Sequence, residues 1–172
     1  MLRKVKLDLD FDLFTKCEYP DFSSCTKHQV HELKDIHQEF GGFPPSYVFE
    51  NTRIKQRWWE QNEIDFAELG RQLSMEVVTV STIKQYPGNT IPWHRDTFYQ
   101  IKKRFPERKD EPVRANINLE DWKLGHFIQY NDTVYTHWKA GEGYMWDSTI
   151  LHLGANAGME PKLTIQVSGY LN

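Results

Sequence analysis

Leu7, Leu9, Phe11 and Leu13 alternate with Asp8, Asp10 and Asp12, a period of two that predicts a strand with one dry face over 7–13. Tyr19-Pro20-Asp21 and Ser23-Ser24 break the pattern. From Thr26 the period lengthens. Val30, Leu33, Ile36, His37 and Phe40 form one helical stripe, with Thr26 as candidate cap and Gly41-Gly42 as stop. His28 and His31 sit one turn apart on it and are expected to be exposed and structural, because no third ligand is spaced to join them. Phe43-Pro44-Pro45-Ser46 reads as a turn and Tyr47-Val48-Phe49 as a short strand. Ile64, Phe66, Ala67, Leu69, Gly70 and Leu73 recur at helical spacing and predict a second amphipathic helix ending near Ser74.

From Glu76 the period is two almost to the end. Val77 to Tyr86 is rich in β-formers, and Pro87-Gly88 suits the central pair of a type II turn. Further strands are expected at 113–119, 126–130, 133–138, 143–147 and 162–171, with Asn131-Asp132 turning a hairpin. Gln100 to Glu111 is a charged stretch, read as a loop or short helix that is either solvated surface or a lid and contact for an anionic substrate. Many short strands after N-terminal helices predict a mainly β fold, a double-sheeted jelly roll or cupin-like barrel. The chain of 172 residues is expected to be one domain, with a strand and supporting helices over about 1–75 and the barrel over about 76–172.

Composition narrows the class. Aromatics make up 14% and include six Trp, so a core needs neither disulfides nor structural zinc. Cys17 and Cys25 form no C-x-x-C pair, which fits a reducing interior. A net charge of −3 argues against a general nucleic-acid or membrane binder. The basic start runs directly into Asp8, Asp10 and Asp12, and no apolar stretch is long enough to cross a bilayer, so a cytoplasmic protein is expected. Trp58-Trp59 beside Arg57 would either stack on a planar ligand or brace the core, and the second is the commoner use.

The chemistry concentrates at Pro92-Trp93-His94-Arg95-Asp96. An imidazole and a carboxylate two residues apart leave an extended backbone on the same face, where one metal ion can take both. His152, behind the strand-like run from Trp146, supplies a third donor. Two His and one carboxylate form the facial triad of non-haem Fe(II) oxygenases, with positions left for cosubstrate and O2. Two strands add an unusual feature. Arg114, Asn116 and Asn118 share one face and Val113, Ala115, Ile117 and Leu119 the other; Lys162, Thr164, Gln166 and Ser168 oppose Leu163, Ile165, Val167 and Gly169. Those polar faces either meet water or line a cavity with two cations in it, as a dianionic cosubstrate requires.

Four ordered patterns resemble a known family. They are Tyr86-Pro87-Gly88 leading to His94-Arg95-Asp96; Val113 to Leu119; Trp138-Lys139-Ala140-Gly141-Glu142-Gly143 leading to Trp146-Asp147-Ser148; and His152 with a basic residue ten positions on. The set, spanning about 84–171, is similar to the double-stranded β-helix 2-oxoglutarate/Fe(II) dioxygenases, in the aspartyl/asparaginyl β-hydroxylase-like branch that includes proline hydroxylases. The resemblance implies His94, Asp96 and His152 as Fe(II) ligands and Lys162 as partner of the distal carboxylate of 2-oxoglutarate. It implies Arg114 as a contact to cosubstrate or substrate and Thr164 as a hydroxyl donor to the same pocket. Trp93, Trp146 and Asn116 are candidate substrate contacts. Lys162 departs from the branch, which places Arg there and so offers a bidentate fork rather than a point charge. The activity implied is hydroxylation of an unactivated C–H bond in an amino acid, peptide side chain or small metabolite, with nucleic acid an unfavoured substrate. A cupin-like metal enzyme without 2-oxoglutarate would need neither Lys162 nor Arg114, and a non-catalytic ligand-binding barrel would need no metal.

Overall fold

The computed structural model describes residues 1–20, 28 and 33–172. Among them ten strands make two antiparallel sheets: β1 (Leu2–Lys6), β2 (Lys55–Trp59), β3 (Met75–Gln85), β4 (Thr90–His94), β5 (Val113–Asn118), β6 (His126–Tyr130), β7 (Thr133–Tyr135), β8 (Glu142–Trp146), β9 (His152–Asn156) and β10 (Lys162–Leu171). The major sheet runs β1-β8-β5-β10-β3-β2 and the minor sheet β4-β9-β6-β7. The helices are α1 (Asp12–Thr15), α2 (Leu33–Gln38), α3 (Phe66–Leu73) and α4 (Tyr99–Arg104). The architecture is the expected double-stranded β-helix. No helix among the described residues is long and apolar enough to cross a membrane.

The major sheet is apolar outside and polar inside. On its outer face Val113, Ala115 and Ile117 of β5 and Leu163, Ile165 and Val167 of β10 pack with Leu7, Phe14, Trp59, Leu69 and Leu73. Each fully buried Leu contributes about 2 kcal/mol. The short α1 and the amphipathic α3 thus cover the sheet from the N-terminal side. Asp65 caps α3 by accepting the Glu68 N–H at 3.0 Å, and Ser74 ends it in the left-handed region at φ 55°. On the inner face Thr164, Gln166 and Ser168 stand opposite Asn118, Asn116 and Arg114. These polar residues face the minor sheet instead of water. A second cluster, Ile128, Tyr130, Trp138, Trp146 and Ile150, lies between the sheets.

Several local expectations change. Residues 7–13 are not a strand. The pairing of β1 with β8 uses Leu2 to Lys6, after which Asp10 accepts the Asp12 N–H and starts α1. Tyr47 to Phe49 is not a strand either. The Tyr47 N–H bonds Pro44 O, and a 3₁₀ turn follows at Phe49–Thr52, so the rings of Phe43, Tyr47 and Phe49 cluster at 4.4–4.9 Å. His28 is buried, not exposed, whereas Thr26, Val30 and His31 lie outside the described residues. The strand expected over 133–138 stops at Tyr135, with His137 left-handed at φ 57°. The Pro87-Gly88 turn is present: Gly88 has φ 87° and the Asn89 N–H bonds Tyr86 O at 3.0 Å. Trp59 braces the outer core and donates to Thr82 Oγ1 at 3.0 Å, whereas its neighbour Trp58 points inward and stays half exposed.

Candidate metal centre

A bulge aims the first histidine. In the β4–β9 ladder Ile91 faces Gly154 and His94 faces His152, so three steps on β4 match two on β9. Pro92 falls inside this irregularity, where a missing N–H breaks no ladder bond. His94 and His152 therefore stand side by side, with ring centroids 4.2 Å apart. The Nδ1 of His94 lies 2.8 Å from Pro92 O and that of His152 3.1 Å from Ile150 O. A carbonyl only accepts, so each Nδ1 carries the proton and each Nε2 keeps its lone pair.

Asp96 lies just past β4. Its Oδ2 is 3.7 Å from His152 Nε2, and ligand atoms of His94, Asp96 and His152 all fall within 4.8 Å of one another. All three residues are buried. The other sheet holds the carboxylate. Arg114 and Trp146 are direct neighbours across β5 and β8; Arg114 Nη1 donates to Oδ1 at 2.5 Å and Trp146 Nε1 to Oδ2 at 2.8 Å. Burial opposes ionisation of Asp96, but Arg114, the two histidines and the indole N–H outweigh it and hold the carboxyl below its ordinary range. Burial, with the neighbouring His152, pushes His94 well below the ordinary imidazole range, and burial also lowers His152. Neutral imidazoles beside a carboxylate form a donor set ready for a divalent cation.

Lys162 is 3% exposed and pairs with no carboxylate among the described residues. Its Nζ donates to Gln85 Oε1 at 2.9 Å and Phe127 O at 3.3 Å, while Gln85 Nε2 bonds Gly154 O at 3.1 Å and so turns its oxygen toward the ammonium. Burial lowers the Lys162 pKa to about 7. Thr164 is buried one inward position further along β10. Among the described residues, buried Asn116 Oδ1, Asn118 Oδ1, Tyr130 OH and Tyr135 OH have no hydrogen-bond partner within bonding geometry. These polar atoms make the barrel interior a polar chamber and not a dry core.

A cavity of about 260 Å³ opens beside the cluster, lined by His94, Asp96 and Arg114 together with His28, Trp58 and Gln166. Trp93, Asn116, Trp146, Lys162 and Thr164 do not line it. Trp146 is a partner of Asp96 instead. Roomier hollows of about 630 and 740 Å³ border β2 and α3 and hold none of the three clustered residues, so donor chemistry rather than volume locates the site. His28 is an unforeseen wall residue. Its Nδ1 is 3.1 Å from His37 Nε2, and its ring meets that of His94 edge-on at 5.5 Å. Gln85 and Gly154 were also missed, although Gln85 sits in direct register with Lys162 on the inward face of β3.

No protein-family model and no curated protein sequence matches the chain. Solved structures do share its fold. A Pseudomonas putida prolyl-4-hydroxylase is 14% identical, with 99% of this chain and 92% of that one aligned at TM-score 0.55. The non-heme alpha-ketoglutarate-dependent epimerase SnoN from nogalamycin biosynthesis is 10% identical over 99% and 80% of the two chains, at TM-score 0.56. A viral collagen prolyl hydroxylase of Paramecium bursaria Chlorella virus-1, solved with 2OG, is 12% identical over 69% and 80%, at TM-score 0.51. At such identities the likeness establishes the double-stranded β-helix fold.

Proposed function

We propose that this protein is an Fe(II)- and 2-oxoglutarate-dependent oxygenase that hydroxylates an unactivated C–H bond of an amino acid, peptide side chain or small metabolite. The observation that carries the proposal is Lys162, a buried amine whose partners among the described residues are all neutral, and whose charge burial disfavours. Such a group is costly unless an anion joins it. Lys162 Nζ lies over Gly154, two residues along β9 from His152. Two strand steps are roughly 6.6 Å, a spacing suited to a five-carbon 2-oxo diacid with one end at the histidines and the other at the ammonium.

The chain's residues then divide the work. His94 and His152 offer Nε2 and Asp96 offers Oδ2 as one face of ligands. Arg114 and Trp146 keep Asp96 ionised and in one rotamer. Lys162 and Thr164 serve the distal carboxylate. The half-exposed Trp58 and the cavity beside Arg114 receive the substrate and limit water. When bound, Fe(II), 2-oxoglutarate and O2 supply the oxidation, one oxygen atom ending in succinate and the other in the hydroxylated product, with CO2 released.

The test is an anaerobic titration with Fe(II) and 2-oxoglutarate, following the weak visible charge-transfer band of the chelate. The band should form in the wild type, vanish in Asp96→Ala and weaken in Lys162→Ala. Metal binding without a band would refute the cosubstrate and favour a cupin-type metal enzyme. No divalent-metal binding would refute the enzyme altogether.

A further inference from the structure

We infer that Gly154 sets the length of the 2-oxo acid this site accepts. The inference rests on Lys162 being the anchor of the distal carboxylate. Gly154 lies in the middle of β9, paired on one side with Ile91 of β4 and on the other with Ile128 of β6. A glycine there weakens a strand relative to alanine, because it loses more conformational freedom on folding. Its backbone is not in the left-handed region, so conformation does not demand glycine. A glycine inside a strand without that demand marks the close approach of another group. Here that group is the ammonium: a Cβ on residue 154 would stand 3.3 Å from Lys162 Nζ and 3.6 Å from Gln85 Oε1.

The direction of that Cβ makes the residue selective. Residues 152 and 154 project from the same face of the strand, so any side chain at 154 stands on the His152 side of Lys162 Nζ and meets it at once. Lys162 spends two N–H groups on Gln85 Oε1 and Phe127 O and has a third for a guest carboxylate. Without the guest, the flexible lysine tip yields a few tenths of an ångström to a methyl group, so Gly154→Ala is expected to fold. With the guest present, methyl and carboxylate compete for the space beside Nζ. Each carbon added at 154 therefore shortens the acid that fits.

The test measures dissociation constants of 2-oxoglutarate and four-carbon oxaloacetate on the anaerobic Fe(II)-loaded protein, by the chelate band and by calorimetry. Fe(II) affinity is measured separately for wild type, Gly154→Ala and Gly154→Val. Gly154→Ala should weaken 2-oxoglutarate about tenfold or more, the usual worth of one carbon in a fitted pocket. It should narrow or reverse the preference over oxaloacetate and leave iron affinity within about twofold, since residue 154 touches no candidate ligand. Gly154→Val should abolish 2-oxoglutarate binding while keeping iron. If both variants bind 2-oxoglutarate as the wild type does, the role of Gly154 is refuted and the cosubstrate reading stands. If the iron-loaded wild type binds neither acid, the cosubstrate reading fails and this inference with it.

Discussion

Lys162→Met should change how the ligand-free protein responds to pH. Methionine matches much of the lysine stem and carries no charge. In the folded chain the Lys162 pKa falls from 10.5 to about 7 through burial. Between those values the unfolded chain holds a proton that the folded chain has released, so wild-type stability rises as pH climbs from about 7 toward 10.5. Below about 7 both states are protonated and this contribution is flat at its most unfavourable, roughly 5 kcal/mol from the size of the shift. Methionine removes that cost but leaves Gln85 Oε1 and Phe127 O with one donor fewer, at about 1–3 kcal/mol. The net expectation at pH 6 is a variant about 2–4 kcal/mol more stable than the wild type, an advantage that shrinks as pH climbs above about 7 and reverses toward pH 10, where only the hydrogen-bond loss remains. Urea denaturation of both proteins across that range, read by tryptophan fluorescence, measures the difference. Parallel pH profiles would refute the reasoning, because the hydrogen-bond loss has no pH dependence of its own. Added Fe(II) and 2-oxoglutarate should raise the wild-type midpoint and leave that of Lys162→Met where iron alone places it.

Other outcomes follow from single contacts. Trp146→Phe keeps an aromatic ring, smaller than the indole, but removes the hydrogen bond to Asp96 Oδ2; Fe(II) affinity by competition with a chelator should fall about 10–100-fold, and unchanged affinity would show the indole to be only packing. Asp65→Ala removes the α3 cap and should cost about 1 kcal/mol in thermal unfolding without changing metal affinity. Ser74→Gly relieves a left-handed residue at φ 55° and should raise stability by about 0.5–1 kcal/mol; a lowered melting temperature would contradict that.

The parts legible in the sequence were those with a strict period. The alternation in β5 and β10 gave both faces of the major sheet, and the helical stripe gave α3 to within two residues of its start. His94 and Asp96 stood out as candidates because the two donors share one short motif, whereas the run before His152 that looked strand-like is a turn, and His152 opens β9. What stayed hidden has physical reasons. His-Leu-Gly-Ala-Asn contains few β-formers, so β9 forms through its two neighbours rather than through propensity. Leu7 to Leu13 alternates like a strand, but Leu7, Leu9 and Phe11 serve the outer core outside the β1–β8 ladder, and Leu13 is half exposed. Trp146 looked like a wall because no local pattern reveals that it stands opposite Arg114 and donates to the same carboxylate. Nothing in the helical stripe around His28 announced that this residue reaches the ring of His94 from another part of the chain.

The outward-facing core of the major sheet also proofreads the fold. In β5 and β10 neighbouring residues alternate between packing under the N-terminal helices and lining the barrel interior. Sliding either strand by a single residue would push Arg114 or Lys162 into the apolar layer and turn Ala115 or Leu163 toward the chamber. A misregistered chain would therefore lose its packing at the moment it lost the Arg114–Asp96 and Lys162–Gln85 contacts. Copies that reach the stable fold carry a correctly assembled polar chamber, and a shifted register leaves no stable misassembled form to accumulate.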